Sequence, residues 1–466
     1  MTTANRNSHT KIIDEKSQAM PVAEENPKHD TIVVDDDEEK KILRKIDFHL
    51  LPLTFITYGL QYLDKITLGY AAVLGIREDA HLVGQQYSWA SSIFYFGFLT
   101  ASLPGSYGFV KLPWGKYLAG TMICWAVVLA CHGAINTFAS LMVVRFILGA
   151  LESVISPGFS LITGLWYKPT EHAWRHGIWF AGNGTAAIIG GLLSYAIGYT
   201  DSKLAAWRWI FIIFGLITFG WSLYFLRPQK NARSFKTNEW KLKQAIEAVK
   251  DPKTWLLFLY TFCSSFKYNT LETLLLTMPQ GACQVVMVLT SAYLTTVFRK
   301  SRCIIIAILL CISLLGWILV GYLPHRTTGE KLFGVFIFGG YAAAFPLSLS
   351  MIASDVQGFT KKTVVQGILF LAYTAGNIAG PQVFFAEEAP NYRTGYQTYI
   401  ICLCLSIFVI LVLRQYMDFE NKRRDRVQGV CIEVEPKIKG SNGLVELPSA
   451  GLDETDGEQD GFRYIL

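Results

Sequence analysis

Residues 303–323 read CIIIAILLCISLLGWILVGYL, a stretch without one charged side chain. At about 1.5 Å of helical rise per residue, such a run just crosses a hydrocarbon core about 30 Å thick. Residues 207–226, WRWIFIIFGLITFGWSLYFL, repeat the pattern with a single Arg near one end. Further apolar runs predict spans near 48–75, 86–109, 115–134, 139–166, 174–199, 254–268, 271–298, 332–353, 363–386 and 396–417, twelve in all. Only helices or closed barrels satisfy their backbone groups in lipid. The period-two alternation of barrel strands is absent, so the chain reads as an all-α membrane protein. Composition agrees: 52% of residues are hydrophobic and 17% charged, whereas soluble chains carry about 25% charged residues.

The net charge of +6 matters less than its placement. Nucleic-acid binding wants a folded basic face, and none is visible, so no nucleic-acid partner is expected. Lys and Arg instead cluster in alternate connectors: Lys111 and Lys116, Lys168 and Arg175, the stretch after Arg227, Arg299 to Arg302, Lys361-Lys362, and Lys422 to Arg426. With the N-terminal set this gives roughly 25 on one side against roughly seven on the other, which by the positive-inside bias predicts a cytoplasmic face. An even span count puts both termini there. Residues 1–40 are polar and acidic with no apolar core near the start, so no cleavable signal peptide is expected and the first span acts as the insertion signal.

The domain layout follows. Residues 1–47 form a cytoplasmic acidic tail, disordered over 1–39, and 48–226 an N-terminal six-helix bundle. Residues 227–253 form a cytoplasmic linker with a short amphipathic helix carrying Trp240, Ala245, Ile246 and Val249. Residues 254–418 hold the second bundle, and 419–466 a polar cytoplasmic tail. Six spans plus six is the layout of a duplicated transporter. The seventh run does not fit: Trp255 to Phe266 offers only about 18 Å of helix before Lys267, Asn269 and Glu272. Either the span tilts to include those polar residues, or its turn slides to Pro279-Gln280-Gly281, or residues are missing. The nine cysteines show no metal or disulfide spacing and read as small lipid-facing or packing residues.

Charges within spans cost about 2.5–3.5 kcal/mol each at a helix centre, so they point to function. The first span carries Asp64 and Lys65, and the fourth Arg145 and Glu152. Arg145 and Glu152 are two turns apart, about 10.5 Å along one face. Asp64 and Lys65 point about 100° apart and need not pair with each other. The functional reading is a cation–carboxylate site: Lys65 or Arg145 binds a substrate anion, and Asp64 or Glu152 takes a coupling proton. The bland readings are packing salt bridges, or Asp64-Lys65 lying at a watery edge. Asn183-Gly184 and Asn377, with Gly376, Gly380 and Pro381, also sit deep in spans. Gly182, Gly184, Gly190 and Gly191 read as close-packing sites.

The stretches Leu50-Leu51-Pro52, Tyr62-Leu63-Asp64-Lys65, Arg145-Phe146-Ile147-Leu148-Gly149 with Glu152, Pro157-Gly158-Phe159, Trp166-Tyr167 and Ala379-Gly380-Pro381 carry a resemblance. Over about residues 40–426 the chain resembles the anion:cation symporter family of the major facilitator superfamily, near the fungal allantoate, nicotinate, pantothenate and biotin permeases. The resemblance implies the major facilitator fold, two six-helix bundles rocking about a central site. It also implies a small organic anion as substrate, protons as coupling ions, no cofactor, and the plasma membrane as location. It places Lys65, Arg145, Tyr62, Asn183 and Asn377 at the substrate and Asp64 and Glu152 at the proton. Lys65 departs from the more usual Arg, keeping the charge but not the planar fork. The chain also departs at Ser264 to Lys267, which run straight into Tyr268-Asn269-Thr270, and near Pro228 to Thr237, where the connector is short.

The main expectation is therefore a secondary active importer in a lipid bilayer. The alternative is a non-transporting nutrient receptor or an inactive truncated transporter, for which the short seventh run is the motive. No nucleotide loop, metal cluster or nucleophile constellation suggests an enzyme.

Overall fold

The computed structural model describes residues 36–200, 202–226, 240–266, 277–298, 300–321, 328–388, 392–428, 455–459 and 462–465. Apart from short 3-10 turns, the regular structure of these residues is helical. In the first half lie α1 (Asp36–Val73), α2 (Ile76–Asp79), α3 (Gln86–Lys111), α4 (Trp114–Cys131), α5 (Phe138–Glu152), α6 (Ile155–Trp166), α7 (His172–Gly198) and α8 (Ala206–Phe225). The second half holds α9 (Leu242–Lys250), α10 (Pro252–Ser264), α11 (Thr277–Val297), α12 (Arg302–Gly321), α13 (Thr328–Phe338), α14 (Gly340–Asp355), α15 (Phe359–Gln382) and α16 (Arg393–Gln428). Among the described residues, eight helical stretches are long and apolar enough to cross a membrane.

The solvent these helices expect is legible on α12. Its inner side buries Cys303, Ile306, Leu310 and Trp317, while Ile304, Ile308 and Leu315 face outward. A helix apolar all round is at home in hydrocarbon, not at a water interface. With no hydrophobic drive between helices in lipid, close packing must hold them together. Gly97 and Gly149 supply it between α3 and α5: a Cβ on Gly97 would lie 2.0 Å from the Phe146 carbonyl oxygen, and one on Gly149 1.8 Å from that of Phe94. Gly184 and Gly281 do the same between α7 and α11, where the two halves meet.

Two spans are broken. Pro157 has no N–H for the carbonyl of Ser153 and its ring crowds that turn, so α5 gives way to α6 at Ser153–Val154. Gly339 separates α13 from α14.

Several expectations change. Residues 1–35, where most of the expected disorder falls, lie outside the described set, and α1 is already helical from Asp36. The shortened connector at 228–237 also lies outside it. The seventh expected run forms the helix α10, whose 13 residues make about 20 Å, and it is not among the eight stretches long and apolar enough to cross a membrane. Its turn does not slide to Pro279-Gln280-Gly281, which fall inside α11, where Pro279 occupies the first turn and needs no N–H partner. The amphipathic linker helix is α9, with Ile246 and Val249 exposed on one side and Gln244 and Ala248 buried on the other. The C-terminal tail does not simply trail away: residues 455–459 and 462–465 pack back on the second half.

Candidate functional site

A cleft lies between the halves, with free space, counting the part open to solvent, of ≈ 570 Å³. From α1 it takes Tyr58, Gln61, Tyr62 and Lys65. Their spacing of three and four residues puts all four on one face. From α7 come Phe180 and Asn183. The second half contributes Ser264 and Ser265 at the end of α10, Gln284 on α11, Tyr341 and Phe345 on α14, and Tyr373 on α15. The lining is aromatic and amide-rich, with Lys65 as its cation.

Behind Lys65 stands Glu152. The ammonium Nζ lies 3.8 Å from Glu152 Oε2, with the lysine side chain 12% exposed and the carboxylate fully buried. Lys65 also sits 5.8 Å from the Phe98 ring centre and 6.0 Å from that of Phe94, the range of a cation–π contact. Gln61 ties the same corner together. Its Nε2 donates to the Glu152 carbonyl at 3.0 Å, and its Oε1 accepts from Ser156 Oγ at 3.3 Å. That carbonyl closes α5 at the break, so a cavity-lining amide meets an acceptor that the broken helix leaves behind.

Asp64 faces away from Lys65, as adjacent helical positions require. It is fully buried, and its Oδ2 accepts the indole N–H of Trp125 on α4 at 2.5 Å. Arg145 lies 5.1 Å from the Phe94 ring centre and donates through Nε to the Ala90 carbonyl at 3.4 Å. The two carboxylates and two cations interact electrostatically and are formally neutral as a set. Charge is thereby balanced within the first half, at a depth where an unpaired ion is expensive.

Of the residues expected at the substrate, Tyr62, Lys65 and Asn183 line the cleft, and Arg145 and Asn377 do not. Arg145 turns to the α3–α5 contact, where Phe94 receives it. Asn377 donates to the Tyr373 carbonyl one turn back, a bond within its own helix at 2.7 Å. Glu152 reaches the cleft through Lys65, while Asp64 stands apart on Trp125. Sequence reasoning passed over Gln61, Gln284, Tyr341 and Tyr373. For Gln61 a signal existed: it precedes Lys65 by one turn. The others are uncharged residues in apolar runs, which lipid tolerates without marking them.

The chain matches the Major Facilitator Superfamily over residues 54–381. An uncharacterised transporter of Schizosaccharomyces pombe is 33% identical, the alignment covering 93% of this chain and 88% of that one. The allantoate permease of Saccharomyces cerevisiae is 32% identical, covering 98% of this chain and 91% of the permease. That alignment runs over 510 positions against 466 residues here, so the permease carries insertions that this chain lacks. Among solved structures, the Escherichia coli fucose:proton symporter matches with a TM-score of 0.59 at 12% identity, over 78% of this chain and 98% of that one. The human organic anion transporter TETRAN matches with a TM-score of 0.58 at 15% identity, over 78% and 99%. The family match, the relatives above 30% identity and the helical cleft together make this chain a member of the major facilitator superfamily, a membrane transporter and not an enzyme.

Proposed function

We propose that the chain imports a small organic anion together with protons, by alternating access of the central cleft to the two membrane faces. The observation that carries this reading is the Lys65–Glu152 pair: a cation at the cleft wall whose partner carboxylate is fully buried. A substrate carboxylate that reaches Lys65 competes with Glu152 for it. Glu152, left without its cation away from water, is relieved by taking a proton. Anion and proton then travel together, and net positive charge is not left behind. The amide and phenol groups of Gln61, Asn183, Gln284 and Tyr341 suit a polar anion with hydrogen-bonding groups of its own. The relative named as an allantoate permease and the fold neighbour named as a proton symporter point the same way. The basic-connector face would be cytoplasmic, with both termini on it, and the plasma membrane the place of work.

Labelled anion uptake in a strain lacking its own carrier tests the reading. Uptake should rise as external pH falls and collapse with a protonophore. Lys65→Met should cut it by about tenfold or more, a loss of about 1.4 kcal/mol or greater. Glu152→Gln should keep exchange of bound anion while losing proton-driven accumulation. Uptake indifferent to pH and protonophore would leave a facilitator.

A second reading rests on α10. A helix of 13 residues falls short of the bilayer, and a carrier so built could bind its anion without moving it. Saturable binding with no uptake would favour that reading.

A further inference from the structure

The C-terminal segment docks on the basic-connector face of the second half. Asp456, 1% exposed, sets one carboxylate oxygen 2.6 Å from Lys361 Nζ and the other 2.7 Å from Lys253 Nζ. Lys361 is itself 2% exposed, at the start of α15, and Lys253 lies in the first turn of α10. Cations this far from water need counter-charge, and removing one partner of such a cluster is costly. The backbone of the segment is held too. Asn421 on α16 exchanges two 2.9 Å hydrogen bonds with the main chain of Tyr464. Arg424 donates to the Asp456 carbonyl at 2.8 Å. A surface strand laid down by chance would meet rim charges, whereas here an acidic side chain is buried between lysines from two helices.

The far end of the segment reaches the seam between the halves. The Ile465 N–H donates to Asp355 Oδ1 at 2.9 Å. Asp355 ends α14 within electrostatic reach of Arg302. Arg302 opens α12 and donates to Ser354 Oγ at 2.5 Å and to the Pro169 carbonyl, in the first half, at 3.2 Å. One oxygen of the Asp355 carboxylate is therefore held by the segment, while the arginine beside it bridges the halves.

We propose that residues 455–459 and 462–465 are a releasable latch that favours the state closed at the basic face. Docked, the segment ties α10, α14, α15 and α16 into one unit and holds Asp355 Oδ1, while Asp355 Oδ2 has no hydrogen-bond partner and Arg302 stays on Pro169. Released, it gives up Oδ1 as well, the pull of the whole carboxylate on Arg302 grows, the bridge to Pro169 breaks, and that face opens. The inference rests on the reading of two halves that rock about the cleft.

Hydrogen–deuterium exchange on the full chain in lipid nanodiscs tests it. In the wild type, the amides of 455–459 and 462–465 should be protected. Asp456→Lys should speed their exchange by about tenfold or more, since it puts a third cation where the shared carboxylate stood and leaves Asp251 and Glu247 against all three. The same variant should speed exchange in the 167–172 connector and the first turn of α12. Asp456→Glu should keep the wild-type pattern, and a chain ending at residue 454 should reproduce the Lys variant without any new clash. A segment already unprotected in the wild type would overturn the latch. So would a segment that is released while 167–172 and 302–306 exchange as before. No substrate enters the measurement, so its failure would leave the cleft reading untouched, and failed uptake would leave the latch untouched.

Discussion

Lys65 and Asp64 are neighbours in sequence and point to different partners. One reaches the cleft and Glu152, the other Trp125. Both partners are testable. Trp125→Phe keeps the aromatic bulk and removes the indole donor from a fully buried carboxylate. A hydrogen bond to a charged group is worth about 1.5–3 kcal/mol, so thermal unfolding in detergent should begin at a lower temperature than in the wild type. An unchanged melting curve would mean that Asp64 draws its support from elsewhere. The four charges were legible from sequence because hydrocarbon makes every ion conspicuous. Their azimuths were not. Arg145 shares a helical face with Glu152, yet it is claimed by Phe94 and the Ala90 carbonyl, and only the packing of α3 on α5 decides that. Asn377 reads as a pocket residue because it is polar and deep, and in the structure its amide nitrogen donates within its own helix.

At the level of helices, hydropathy marks runs that the structure makes helical, and eight of the helical stretches among the described residues are long and apolar enough to cross a membrane. Contact between them was harder to read. The sequence marked Gly182 and Gly184 as packing sites, and Gly184 does meet Gly281 across the seam. It said nothing of Gly97, whose partner lies on a helix far along the chain. Gly149 offers a sharp comparison with Gly120, around which a Cβ would meet nothing within 4 Å. Gly120→Ala should be neutral or stabilising, since alanine favours a helix over glycine by about 1 kcal/mol. Gly149→Ala should destabilise by about 1–3 kcal/mol, the usual cost of overpacking. Equal melting temperatures for the two variants would contradict the tight α3–α5 contact. The short α10 makes its own prediction. Extending it to full span length, by inserting the corresponding permease segment after Ser264, should raise uptake if the shortened helix limits transport. Unchanged uptake in a well-folded insertion variant would clear α10 of that charge.

The two halves and the tail make a larger unit than composition suggested. A polar, acidic stretch reads as solvated chain, and residues 455–465 carry no apolar run to announce a docking site. What gives them a place is complementarity with Lys253 and Lys361, which the fold brings together from helices more than a hundred residues apart. Burial alone would push the Asp456 carboxyl up, but those two lysines pull it down to about 2. The ordinary value is about 3.9. A depressed value means that ionised Asp456 supports docking above about pH 4, and that this support fades as pH falls through about 2. Tyr464 donates to the same carboxylate, and Asp251 and Glu247 share the two lysines with it. Asp456 should therefore contribute no change in the rate at which added protease clips the segment between pH ~7.5 and ~5.5, which leaves Asp355, the other carboxylate that holds the segment, as the group able to alter it there. Faster cleavage at the acid end would assign control of docking to another group.

The Gln61 side chain has a consequence of its own. It stands in the wall that a visiting molecule touches, and it also grips the elbow where α5 becomes α6. A guest that engages this amide trades against the elbow's orphaned oxygen. Guests able to repay that oxygen with a donor would leave the joint stiff, and guests that cannot would let it flex, so two acids of identical charge could be told apart by how far they bend a rod.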